Sequence, residues 1–227
     1  MREIFQIRLQ EEQYRVMLER YHFRQTDAEQ LRCLGVILEQ LAGPVMYFAP
    51  CNVIENGRNS GIHMLAGHAQ CGGTAEWKEG MQLAVLVSLG NKVDALQNEY
   101  VRRERLTEGY MIECIGMELL QTAYEKVAEI IRQKYGLWMS GFEFLGDRYP
   151  LEWTKDLFHV LQPEGITYNQ AYMMTPKKTV AFLTALRQER KESYCHVCES
   201  CSNLQCPNRQ KLTSHMNYGY QRIFGKP

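Results

Sequence analysis

The residues best placed to do chemistry are four cysteines near the C-terminus. In Cys195-His-Val-Cys198-Glu-Ser-Cys201-Ser-Asn-Leu-Gln-Cys206-Pro they fall within twelve residues. Cys-x-x-Cys spacing lets one turn aim two thiolates at a single ion or cluster edge. Two such steps followed by Cys-Pro are close to the bacterial ferredoxin run, with four residues rather than three before the last cysteine. The chain has no second run, so Cys195, Cys198, Cys201 and Cys206 would all serve one centre. Structural zinc usually separates two Cys-x-x-Cys pairs by a dozen residues or more. The compressed spacing here therefore leans toward an iron–sulfur cluster, with zinc as the alternative. The remaining reading, four unligated thiols, would leave reactive groups exposed for no purpose.

The other four cysteines carry less. Cys33 lies beside the apolar stripe of one helical pattern and Cys114 inside another, and both are expected as small buried hydrophobes. Cys51 and Cys71 flank a Gly-, Asn- and His-rich stretch that also holds His63 and His68. The Gly and Ala around those histidines supply no carboxylate to orient a metal-bound imidazole, so a loop is expected there. The chain lacks Gly-x-Gly-x-x-Gly, a P-loop and a Gly-x-Ser-x-Gly elbow. It also lacks Cys-x3-Cys-x2-Cys and the cobalamin-binding Asp-x-His-x-x-Gly. Carboxylates are scattered over helix faces, with no isolated acid–base pair.

Lys plus Arg equals Asp plus Glu at 26 each, which removes the net-charge footprint of a nucleic-acid binder. The apolar run over 83–89 is far too short to span a bilayer. The N-terminus has charges within its apolar pattern rather than a signal-peptide core. The expectation is a cytoplasmic protein with reduced thiols and neither nucleic-acid nor membrane partners.

The elements that must position these groups follow from periodicity. Alternation over 3–9 suggests a strand, with a helix over 11–21. Thr26-Asp-Ala-Glu29 reads as a capping box for a helix carrying Leu31, Leu34, Leu38 and Leu41, closed by Gly43-Pro44. A strand over 45–48 would stop at Pro50, and 51–73 reads as loop. The apolar run over 81–89 suggests a buried strand, and a helix over 90–105 places Val93, Leu96, Tyr100 and Val101 inward. The longest helical pattern covers 108–135 and ends at Gly136. Beyond it come a strand within 137–145, a tight turn at 146–150, a helix over 151–161, and short extended pieces at 166–168 and 171–174. Residues 179–186 read as extended or helical. Without regular strand–helix alternation the class is α+β. The composition shift after Leu186 divides a domain over 1–187 from a linker and cysteine tail over 188–227.

Four segments carry a family resemblance: Val87-Ser-Leu-Gly-Asn-Lys-Val93, Ile112-Glu-Cys-Ile-Gly-Met-Glu118, Phe144-Leu-Gly-Asp-Arg-Tyr-Pro-Leu151, and Gly165-Ile-Thr-Tyr-Asn-Gln-Ala-Tyr-Met-Met-Thr-Pro-Lys-Lys-Thr-Val180. In order and spacing, 80–186 resembles the activation (reactivation) domain of vitamin B12-dependent methionine synthase, in the stand-alone form of anaerobic bacteria. The resemblance implies a curved antiparallel sheet with flanking helices. It implies S-adenosylmethionine as ligand and a corrinoid-binding methionine synthase or related methyltransferase as partner. Cobalamin would sit on that partner, with its oxidised form reductively methylated. An iron–sulfur tail would suit a reaction that needs an electron.

Carried over residue by residue, the ligand-binding candidates are Gly146, Asp147, Tyr149 and Pro150, with Tyr172 and Met174. Their other reading is a turn capping the next helix, for the first four, and core and turn for the last two. One departure stands out. The family's Arg-x-x-x-Gly-Tyr segment corresponds here to Ser140-Gly-Phe-Glu-Phe-Leu-Gly-Asp147, which holds no arginine. Neither Phe142 nor Glu143 can fork onto a ligand carboxylate as a guanidinium does. A metal-binding module on the same fold, without S-adenosylmethionine, is therefore the alternative function.

Overall fold

The computed structural model describes residues 1–55, 57, 60–65 and 80–189. Its centre is a curled antiparallel sheet. The strands are β1 (Arg2–Ile4), β2 (Val45–Ile54), β3 (Gly61–Met64), β4 (Met81–Ser88), β5 (Trp138–Met139), β6 (Glu143–Phe144) and β9 (Thr179–Arg187). Their order is β1-β2-β4-β9-β5, with β3 also on β2 and β6 also on β9. Strands β7 (Thr167–Tyr168) and β8 (Met174–Thr175) form a separate small hairpin. The helices are α1 (Glu11–Arg20), α2 (Ala28–Leu41), α3 (Asn91–Arg102), α4 (Leu106–Tyr135) and α5 (Thr154–Leu161).

The period of two in a strand splits the core into two layers. Met46, Phe48, Leu83, Val85, Val87, Phe182 and Leu186 face the layer built by α1, α2, α3 and α4. Their neighbours Tyr47, Cys51, Ala84, Leu86, Ala181 and Leu183 face the opposite layer, under α5. Because β4 and β9 are buried on both faces, their sequences read as continuous apolar runs. The expected α+β class with a curved antiparallel sheet and flanking helices is what the chain adopts.

Several elements differ from expectation. Phe5, Ile7 and Leu9 alternate inward as read, yet only Arg2–Ile4 joins the ladder. Beyond it the chain leaves the sheet, and the Leu9 amide donates to Glu39 Oε1 at 2.7 Å. Alternation reports burial, not strand pairing. The cap before α2 is not Thr26/Glu29 but Arg24/Asp27. The Arg24 amide donates to Asp27 Oδ2 at 3.0 Å, closing one 3-10 turn that leads into α2.

Strand β2 continues through Pro50. Its outer edge is taken by β1 at 45–47 and by β3 at 51–54, so Pro50 falls in the gap between them. There a missing N–H costs no ladder bond. The expected loop after residue 51 thus begins as a hairpin. Val101 is exposed, and so is Cys33, which projects from the face of α2 opposite Leu31, Leu34 and Leu38. Cys114 is buried, as expected. Helix α4 ends at Gly136 in the left-handed region (φ 68°), where only glycine is unstrained.

Candidate functional site

Between Phe144 and Trp153 the chain makes the turn that the sequence singled out. Gly146 adopts φ 86°, and its amide donates to the Tyr149 carbonyl at 2.7 Å. The Asp147 and Arg148 amides donate to the Phe144 carbonyl at 3.3 and 3.2 Å. Gly146, Asp147 and Pro150 are exposed on the turn, whereas Tyr149 is buried and stacks on Trp153 with ring centroids 5.3 Å apart. Pro150 opens the 3-10 turn that precedes α5. The tight turn foreseen as an alternative is therefore present, with Pro150 at the N-terminus of that 3-10 turn and no side chain capping it or α5.

Tyr149 also anchors a polar chain that sequence reasoning missed. Its hydroxyl donates to Glu143 Oε2 at 2.8 Å and accepts from Gln82 Nε2 at 2.9 Å. Burial, with Glu143 alongside, pushes the phenol up to about 12, so it stays protonated at neutral pH. Gln82 Oε1 is shielded from solvent and has no hydrogen-bond partner among the described residues. An orphaned buried acceptor costs about 1–3 kcal/mol. The only hint in the sequence was Gln82 itself, a polar residue at the start of an otherwise apolar strand.

On the solvent side, the Arg148 guanidinium lies 5.3 Å from the Tyr149 ring centroid and pairs with Glu55 at 3.1 Å. Both partners are about half exposed, at 56% and 48%, so the pair is worth little and is free to exchange. Arg148 is the arginine on this turn, eight residues after the start of the segment where the family's arginine was expected.

Tyr172 and Met174 sit on the β7–β8 hairpin. Asn169 Oδ1 closes that hairpin by accepting from the Ala171 and Met173 amides at 2.9 and 3.0 Å. Tyr172 has φ 59° and stacks on Tyr168 at 5.9 Å, and Tyr168 meets Phe158 of α5 edge-on at 4.7 Å. Met174 is half-buried against the same apolar layer that holds Tyr149 and Trp153. The structure thus ties Tyr149 and Met174 to one layer, while Gly146, Asp147 and Pro150 stay on the turn and Tyr172 on the hairpin tip.

The hairpin is fastened to the helices by the segment that follows it. Lys178, only 4% exposed, reaches Glu113 of α4 at 2.5 Å, and the Lys177 amide donates to Asp94 of α3 at 2.7 Å. Gly116 leaves room for the lysine stem, since a Cβ there would lie 2.8 Å from its Cε.

Cys195, Cys198, Cys201 and Cys206 lie outside the described residues, as do His68 and Cys71. His63 is exposed on β3, and Cys51 is buried on β2 with its thiol pushed up to about 12 by burial. Among the described residues no group of three or more His, Cys, Asp or Glu side chains could hold a metal. No helix among them is long and apolar enough to cross a membrane. A surface cleft of about 430 Å³ between Phe5–Arg8 and α2 contains none of the expected site residues.

No family model matches the chain. Neither does any curated protein. Among solved structures, it is similar in fold to the MetH reactivation domain bound to AdoHcy. The TM-score is 0.54 and the identity 14%, over 87% of this chain and 80% of that one. At that identity the likeness defines the class of fold, that of a methionine synthase reactivation domain, and no particular protein within it.

Proposed function

We propose that this chain binds an S-adenosyl ligand at the Tyr149 turn and supports reductive methylation of a corrinoid carried by a partner methionine synthase or related methyltransferase. The observation that supports the reading furthest is the shared fold with a domain that has AdoHcy bound. The exchangeable Arg148–Glu55 pair fits such a ligand.

In this reading Gly146 and Asp147 present the exposed turn, and Tyr149 braces it from beneath. Met174 and Tyr172 border the same layer from the hairpin. Arg148 releases Glu55 to take the ligand carboxylate, standing in for the arginine that is absent from 140–147. When bound, the sulfonium supplies an electrophilic methyl group. The chain's own work is to hold that ligand and keep its orientation. Cys195, Cys198, Cys201 and Cys206 would hold an iron–sulfur cluster or zinc, the former suited to passing one electron. Cobalamin belongs to the partner.

Calorimetric titration of the full chain with S-adenosylmethionine, alone and with a corrinoid partner, tests this. Saturable binding that weakens about tenfold or more in Arg148→Ala supports it, as expected for loss of a charged hydrogen bond to the ligand. No binding at millimolar ligand overturns it. That result would favour the second reading, which the missing arginine motivates: a metal-binding module that kept the fold and lost the ligand.

A further inference from the structure

Alternation along β9 puts Lys178, Val180 and Phe182 on the face of the sheet that packs α1–α4, whereas Ala181 and Leu183 face α5. The β7–β8 hairpin, with Tyr172 and Met174, lies on the α5 side. The chain therefore crosses from one face of the sheet to the other within residues 176–178. The hairpin itself has little to hold it. Its strands are two residues each, and no residue from 167 to 175 is buried, although the Tyr168 ring meets Phe158 of α5. A pairing that short is not stable on its own. Its exit, by contrast, is held by helices of the opposite face. Asp94 Oδ2 on α3 accepts from the Lys177 amide at 2.7 Å, and Glu113 Oε1 on α4 accepts from Lys178 Nζ at 2.5 Å. Gln97 of α3 donates to the other Glu113 oxygen at 2.9 Å, which fixes the carboxylate in turn.

We propose that Asp94 and Glu113 are positioning residues for the ligand site on the other face of the sheet. By clamping Lys177 and Lys178 they set where Tyr172 and Met174 stand relative to the Tyr149 turn. The inference rests on the S-adenosyl reading above. It adds that α3 and α4, which hold none of the proposed ligand contacts, govern affinity through the exit of the hairpin. Stability does not account for the ion pair. Burying the lysine costs its hydration, and a methionine of similar length could follow the same path past Gly116 with no charge to desolvate. What the ion pair supplies, and methionine does not, is a fixed direction and reach. The two partners are not equivalent. Glu113 is partly exposed and can turn to water when Lys178 is neutralised, whereas the Lys178 side chain is buried and cannot. Lys178→Met is therefore the variant that opens the clamp without stranding a charge.

The test uses the full chain, titrated calorimetrically with S-adenosylhomocysteine and, separately, digested in its native state with chymotrypsin to follow cuts after Tyr168 and Tyr172. Lys178→Met and Asp94→Ala are each expected to bind about fivefold more weakly. Both are expected to be cut at these tyrosines about tenfold faster, as loss of one charged hydrogen bond raises the open population. Their unfolding midpoints are expected within about 4 °C of the wild type. Asp94→Asn, which keeps an oxygen for the Lys177 amide, is expected to bind and to resist cutting as the wild type does. A pair that only stabilises the fold would lower the midpoint and leave affinity and cutting as they were. Affinity unchanged in Lys178→Met and Asp94→Ala overturns the proposal. So does weaker binding without faster cutting, because the hairpin would then not be the route. If Lys178→Met does not fold, Asp94→Ala and Asp94→Asn decide the matter alone. A wild-type chain that evolves no heat at millimolar ligand overturns the S-adenosyl reading and this inference with it, whereas equal binding by wild type and variants overturns this inference only.

Discussion

Glu125 lies half-buried on α4, two turns beyond Glu118, which is itself buried against Arg20 and the Tyr21 hydroxyl. Burial first, and the Glu118 charge second, push the Glu125 carboxyl up to about 7. A carboxyl whose folded value exceeds its unfolded one favours the fold in its protonated form. Its contribution is therefore present below about pH 4.5 and is lost as pH rises toward 7. Glu125→Gln mimics the protonated form. It is expected to leave stability unchanged near pH 4 and to raise it at pH 8, by on the order of 1–3 kcal/mol. Urea unfolding at the two pH values checks this, and an equal effect at both would remove the assignment. At this scale the sequence was informative about residue types and poor about pairing. Tyr149 stood out in a motif, but its partners Gln82 and Glu143 lie 67 and 6 residues away, and only sheet register brings them together. Val101 was misplaced because a helical stripe is wide enough that residues at its margin fall on either side of the solvent boundary. Cys33 was misplaced because nearness in sequence to Leu31 and Leu34 is not nearness in helical angle, which turns it to the opposite face.

Helices are where the sequence was most legible, because their apolar period, glycine stops and length leave few alternatives. The ends of α4 and of β4 fall within two residues of expectation. What the sequence could not show was how helices approach one another. Gly35 on α2 looks like a helix-weakening residue by propensity alone. In the fold, an added Cβ there would lie 2.1 Å from the Tyr14 hydroxyl and 2.6 Å from its ring Cε1, so the glycine is the socket into which α1 packs. Gly35→Ala is therefore expected to destabilise by about 1–3 kcal/mol through overpacking, despite the better helix propensity of alanine. Adding Tyr14→Phe removes the shortest of these contacts and should restore part of the loss, a coupling that a double-mutant cycle in chemical denaturation would read. An additive result would mean that α1 shifts freely and that the socket carries no constraint. The short strands were hard to read for a different reason. β5, β6, β7 and β8 have two residues each, too few to express a period.

At the scale of the whole molecule, the last described strand closes both layers of the core. From β9, Phe182 and Leu186 complete the layer of α1–α4, while Ala181 and Leu183 complete the layer under α5. The strand pairs with β4 on one side and with β5 and β6 on the other. Every described strand of the sheet thus pairs within residues 1–187, which motivates the proposed division into a domain over 1–187 and a tail over 188–227. If the division holds, a chain ended after Arg187 should unfold in a single cooperative transition. Its midpoint should lie within about 4 °C of the full chain, a difference of about 1 kcal/mol for a protein this size. Metal should leave with the tail. The full chain, purified without oxygen, is expected to carry iron and acid-labile sulfide, or zinc, in a fixed ratio to protein. The shortened chain should carry none, and Cys195→Ser or Cys198→Ser should lose most of it, since a four-thiolate centre rarely tolerates removal of a ligand. Loss of cooperative unfolding in the shortened chain would make the tail part of the fold and move the domain boundary. Metal retained without the four cysteines would move the metal site instead. Because stability and metal content are read separately, each half of the division can fail alone.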